Sequence, residues 1–166
     1  MDSLLRPLLD APAPVVYLIC ALLITAETAL LPGIVLPTLS ALLLMGFLAE
    51  RGTLHLGLAL PVAVLAAVIG DQLAYLEGRR LRRSRFARRI GQDRWDRAEA
   101  AVARYGVPAV IAGRCLAGAR TLVPRVAGSA AMPYRRFAVG SVCAAVLWAS
   151  AELLLGHLTA LVTPAS

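Results

Sequence analysis

Apolar residues along this chain gather into four long blocks separated by short polar strings, and the length of each block limits what it can be. The first block, Pro12 to Ala49, contains one ionisable residue, Glu27. A continuous helix of that length would run about 57 Å, nearly twice a ~30 Å hydrocarbon core. Its middle reads Leu31-Pro32-Gly33-Ile34-Val35-Leu36-Pro37, and prolines with a glycine inside an apolar run break a helix. Residues 12–49 are therefore two spans, or a span plus a re-entrant hairpin whose broken tip is buried in protein.

The second block, Leu54 to Leu76, predicts a transmembrane helix over 54–78 that carries Gly70-Asp71 and, near its end, Tyr75 as an interface anchor. Residues 79–104 then hold ten arginines, which marks them as a cytoplasmic loop in a membrane protein. Within that loop Trp95, Ala98, Val102 and Tyr105 recur at helical spacing while Arg94, Arg97 and Arg104 point elsewhere, the pattern of a helix lying among lipid headgroups.

The third block, 107–132, is apolar at both ends yet holds Arg114, Arg120 and Arg125, together with Gly113, Gly118, Pro124 and Gly128. One arginine near mid-membrane costs about 2.5–3.5 kcal/mol on insertion scales, so a lipid-facing span would not carry three. A broken re-entrant hairpin whose arginines line a polar cavity accounts for them. The fourth block predicts a transmembrane helix over 137–163, with Trp148 and Glu152 inside it and Gly140, Ala144, Ala145 and Ala149 as small residues suited to close helix packing. The chain thus reads twice as a broken hairpin followed by a full span. The expected tips are Pro32, Gly33 and Pro37 in the first half and Gly118, Pro124 and Gly128 in the second. This is the hydropathy pattern expected of transporter repeats with a midplane site.

Composition supports the same class. Of 166 residues 59% are hydrophobic and 16% charged, against roughly 45–50% and 25% for a soluble domain. Such an excess in a short chain has too little interior to hide in, which makes the bilayer its solvent and the whole of 1–166 a single all-α polytopic membrane domain. The net charge of +7 comes from 17 basic residues, all arginine, against 10 acidic ones. In a chain this apolar the cluster at 79–104 reads as a contact for anionic lipid headgroups, with no nucleic-acid partner. Cys20, Cys115 and Cys143 lie apart in apolar stretches, and His55 and His157 have no acidic or cysteine neighbours at ligand spacing, so neither a disulfide framework nor a metal site is expected. Met1 to Ala11 carries Arg6 but also Asp2 and Asp10, and the apolar run beyond it outlasts a signal core, so no cleaved leader is expected.

Two segments carry a family resemblance. Gly70-Asp71-Gln72-Leu73-Ala74-Tyr75-Leu76-Glu77-Gly78-Arg79 resembles the GD-x-x-x-Y-x-x-GR segment of DedA membrane proteins, which share a domain with eukaryotic VTT scramblases. Arg114-Cys115-Leu116-Ala117-Gly118-Ala119-Arg120-Thr121 resembles their R-F-x-P-G-x-R-T segment, and Pro124, Ala127-Gly128, Met132, Phe137 and Trp148 continue the pattern. Glu27 sits where the family has a glutamate ahead of its first hairpin tip. The resemblance implies a bacterial inner-membrane protein with two inverted re-entrant hairpins that translocates undecaprenyl phosphate or a phospholipid, with proton coupling proposed for some members. Where many members read L-P-G-D-S this chain has Leu36-Pro37-Thr38-Leu39-Ser40, so Asp71 or Glu152 would have to supply a second acid; the usual proline of the arginine segment is Ala117.

The chemistry of that cargo selects the candidate residues. A lipid phosphate crossing hydrocarbon needs multidentate donors that stay charged, which arginine's planar fork supplies better than lysine. Arg114 and Arg120 flank a glycine break that could aim both at one point, and they are the expected phosphate ligands. Glu27 and Asp71 are the expected counter-charges or proton carriers, with Glu152 a further candidate. No cofactor is implied, and a homo-oligomer is compatible with the small-residue faces. The alternative is a membrane-integrity or assembly factor without transport. An intramembrane lipid-phosphate enzyme would need a nucleophile or base near the arginines, and His55 and His157 lie outside that segment; the chain is expected not to be an enzyme.

Overall fold

The computed structural model describes residues 12–29, 38–81, 92–116 and 119–162. Among them it is all-helical: α1 (Ala13–Ala29), α2 (Thr38–Glu50), α3 (Leu56–Leu81), α4 (Gln92–Tyr105), α5 (Val107–Cys115), α6 (Val123–Ser129) and α7 (Tyr134–Val162). The predicted tips Pro32, Gly33, Pro37 and Gly118 lie outside the described residues, as do the arginines of 82–91. Two of the described helices are long and apolar enough to cross a membrane, over Leu56–Arg80 and Tyr134–Leu161. The others are shorter than the roughly 20 residues a crossing needs.

Exposure is inverted relative to a soluble protein. Only 33% and 39% of the most apolar stretches of α3 and α7 are buried, and Leu58, Leu65, Ile69, Leu73 and Leu76 of α3 and Leu147, Leu154, Leu158 and Leu161 of α7 face outward. Asp71, Arg114, Arg125, Ser141 and Glu152 are buried. Apolar side chains outside and ionisable ones within is the arrangement a bilayer selects.

The helices pack by one scheme used twice. α1 packs along α3, the long helix that follows it, and α2 packs along α7; α5 packs along α7, the long helix that follows it, and α6 packs along α3. α1 and α3 run in the same direction, since Tyr17 meets His55, Thr25 meets Ala66 and Thr28 meets Gly70 in order. α7 runs opposite to α3: Tyr75 near the end of α3 stacks on Phe137 near the start of α7, while Leu56 and Leu60 share a cleft with Leu153. The helix pairs α1–α2 and α5–α6 therefore enter from opposite ends of the bundle.

Glycines set the two crossings at which each second arm meets the other half. A Cβ on Gly78 would lie 2.0 Å from the Arg125 carbonyl oxygen, and one on Gly128 would lie 2.1 Å from that of Tyr75. Across α2 and α7, a Cβ on Gly46 would lie 2.3 Å from Leu153 O and one on Gly156 would lie 2.2 Å from Leu43 O. Only a residue without a side chain lets the backbones approach this closely. Gly128 thus lies within α6 as a packing contact, not at a turn, and Pro124 occupies the first turn of α6, where its missing N–H is harmless.

Candidate functional site: a polar layer between two apolar clusters

Two apolar clusters fill the interior. One joins α1, α2 and the adjoining stretches of α3 and α7, and it ends at Ala67 and Ala145. The other surrounds Tyr75, Val110, Val126 and Phe137. Asp71 lies four residues from both Ala67 and Tyr75, and Ser141 lies four from both Phe137 and Ala145, so both occupy the inward stripe of their helices between the clusters. Arg114, in the last turn of α5, completes the layer. Its Nη1 donates to Asp71 Oδ1, and the Ser141 hydroxyl donates to Asp71 Oδ2 at 2.5 Å. Arg114 and Asp71 are 4% and 0% exposed, so the ion pair is shielded from solvent. Nε of Arg114 is buried and finds no hydrogen-bond acceptor among the described residues.

Arg120 lies in the turn between α5 and α6, with its guanidinium carbon 4.8 Å from the centroid of the Trp148 ring. This cation–π contact holds the charge against α7. Glu152, one helical turn after Trp148, is buried on the same helix. Glu27 lies in the last turn of α1, beside Thr28, which packs on Gly70 next to Asp71; the side chain of Glu27 lies outside the described part of the structure. The helices thus bring Arg114 and Asp71 into direct contact and anchor Arg120 on α7.

Arg125, the third arginine of the block, is fully buried. Its Nε donates to Glu77 Oε2 at 2.9 Å, its Nη1 to Thr121 O at 2.6 Å and its Nη2 to Ala29 O at 2.7 Å. One guanidinium therefore ties the C-terminal end of α1 to α3 and α6. Helix ends have carbonyls without intrahelical partners, and a cation near them also opposes the negative end of the dipole. Tyr75 adds a second tie across the same junction: its hydroxyl donates to Met132 O at 2.6 Å, and its ring stacks on Phe137 with centroids 4.5 Å apart. Among the described residues no group of three or more His, Cys, Asp or Glu is placed to hold a metal ion.

A VTT domain matches residues 36–158. The chain belongs to the VTT-domain family of DedA inner-membrane proteins. It is 32% identical over 147 residues to inner membrane protein YghB of Escherichia coli strain K12, covering 86% of this chain and 67% of that protein. It is 27% identical over 146 residues to inner membrane protein YqjA of the same strain, covering 86% and 66%. An uncharacterized membrane protein of Synechocystis, slr0232, is 33% identical over 130 residues, covering 75% and 60%. No solved structure matches.

Asp71, Arg114, Arg120, Ser141, Trp148 and Glu152 fall inside the matched VTT domain, and Glu27 lies ahead of it. Two participants were not singled out from sequence. Ser141 is a single hydroxyl in an apolar helix, and the signal available was its position directly after Gly140 on the small-residue face. Glu77 sits among arginines, where a local ion pair hides a long-range one.

Proposed function

We propose that this VTT-domain protein moves a phosphate-bearing lipid across the bacterial inner membrane, with Arg114 and Arg120 as phosphate ligands and undecaprenyl phosphate or a phospholipid as cargo. The observation that supports this reading is the buried Arg114–Asp71–Ser141 layer, in which the guanidinium has an N–H without an acceptor among the described residues, inside a bundle whose long helices face outward with apolar side chains.

An arginine at this depth would cost about 2.5–3.5 kcal/mol if it stood alone, and Asp71 offsets that cost when the site is empty. A phosphate offers more acceptor oxygens than Asp71 and can engage both arginines. Asp71, displaced from Arg114, keeps its hydrogen bond from Ser141 and takes up a proton, which couples phosphate entry to protonation. Glu27 and Glu152 serve as further counter-charges around the same layer. The pairs α1–α2 and α5–α6 act as re-entrant hairpins from opposite faces, and the repeated packing scheme supports two equivalent arrangements around one site. The arginine-rich 79–104 segment lies on the cytoplasmic side.

Mass spectrometry of lipids co-purified with the protein tests the site. Wild type is expected to retain a phosphate-bearing lipid that an Arg114→Gln/Arg120→Gln variant loses. Equal lipid content in both would remove these arginines from the site.

A further inference from the structure

The amphipathic helix α4 meets α5 on the side of α5 away from Asp71. Two cavities adjoin there. One, of about 430 Å³, has Arg104 and Arg136 on its wall along with Gly106 and the chain around Ala131. The other, of about 410 Å³, is lined by apolar residues of α4, α5 and α6, including Ala98, Ala112, Leu116 and Val123. Val102, Tyr105 and Pro108 line both, so the two adjoin as the parts of one groove-like surface, one with arginines and the other apolar.

The charge at the polar end has one sign. Its lining holds Arg104 and Arg136 and no Asp or Glu. The acids of α4, Asp93, Asp96 and Glu99, all precede the last turn of that helix, which holds Arg104. Arg104 and Arg136 are exposed, and the Arg104 guanidinium carbon lies 5.2 Å from the Tyr105 ring centroid. The start of α5 at Gly106 has no side-chain cap and adds the positive end of its dipole. At the apolar end Tyr105 and Leu116 are 57% and 62% exposed, so the groove opens on the outside of the bundle.

We infer that this groove seats an anionic glycerophospholipid, its phosphate between Arg104 and Arg136 and one acyl chain along the apolar cleft between α4 and the α5–α6 pair. The seat requires no transport: it fixes α4 to the membrane surface and is separate from the Arg114 layer, which faces α3 and α7.

Native mass spectrometry of the full chain in detergent, titrated with phosphatidylglycerol or phosphatidylcholine of the same acyl length, tests this. Each arginine near a lipid surface contributes about a fivefold preference for an anionic headgroup, so Arg104→Gln/Arg136→Gln should reduce phosphatidylglycerol binding by roughly thirtyfold and leave phosphatidylcholine binding unchanged. Ala112→Phe, which fills the apolar cleft, should weaken both lipids together while the protein keeps its helical circular dichroism. Equal affinity of wild type for the two lipids, or a phosphatidylglycerol affinity that neither variant lowers, would overturn the proposal. A shift in oligomeric state on Ala112→Phe without loss of lipid would reassign the groove as a contact between copies of the chain.

Discussion

Arg114 and Asp71, separated by 43 positions in the chain, form a buried ion pair that joins the end of α5 to the middle of α3. Neither charge has solvent to fall back on, so each depends on the other or on a bound ligand.

Removing one partner should therefore cost more than removing both. Asp71→Asn is expected to destabilise the protein by about 3–5 kcal/mol, and Asp71→Leu/Arg114→Leu by clearly less. Thermal or denaturant unfolding in a defined detergent measures the difference. A double variant as unstable as the single would mean that the pair acts through packing alone.

The second buried pair behaves asymmetrically. Arg125 is fully buried, whereas the Glu77 side chain is 34% exposed. Glu77→Gln takes the Glu77 carboxylate away from a fully buried cation, while Arg125→Met leaves a carboxylate that can still reach water. Glu77→Gln/Arg125→Met should thus be more stable than Glu77→Gln alone, by about 1 kcal/mol or more, measured by the same unfolding assay.

At the glycine crossings, backbone atoms stand where a Cβ would go, so no side-chain movement can relieve the clash. Gly78→Ala and Gly128→Ala should each destabilise by about 1–3 kcal/mol or more. Gly57, in the first turn of α3, has open space around it, and Gly57→Ala should be neutral or slightly stabilising. Melting temperatures of the three variants decide this; similar values for all would contradict the close crossing.

Much of the fold was legible in the sequence because each feature was local. The length of an apolar run sets whether a helix can cross, proline and glycine set where it breaks, and Gly140, Ala144, Ala145 and Ala149 marked a close-packing face. Pairings between helices carry no such local signal. Arg114, Arg120 and Arg125 look alike in a linear reading, yet one meets Asp71, one lies over Trp148 and one ties Glu77 to the end of α1. Which partner each finds depends on the order in which four helices pack. Asp71 faces inward because its stripe runs from Ala67 to Tyr75. Gly128, read as a hairpin tip, serves packing because α6 presses against α3 there.

The Arg120–Trp148 contact offers a spectroscopic reading of the site. In a Trp95→Phe background Trp148 is the sole tryptophan. A short-chain polyprenyl phosphate should shift its emission as the guanidinium turns to the phosphate, and the matching neutral alcohol should not. Arg120→Leu should abolish the response; a response that survives would place phosphate elsewhere.

The central claim is that Arg114 and Arg120 carry a phosphate through the membrane, and reorientation of a labelled phosphate-bearing lipid in proteoliposomes tests it most directly. Wild type should accelerate reorientation well above protein-free vesicles. Arg114→Lys and Arg120→Lys, which keep the charge but lose the planar fork, should each slow it by about tenfold or more while remaining folded. Wild-type rates in both lysine variants at equal incorporation would contradict the account.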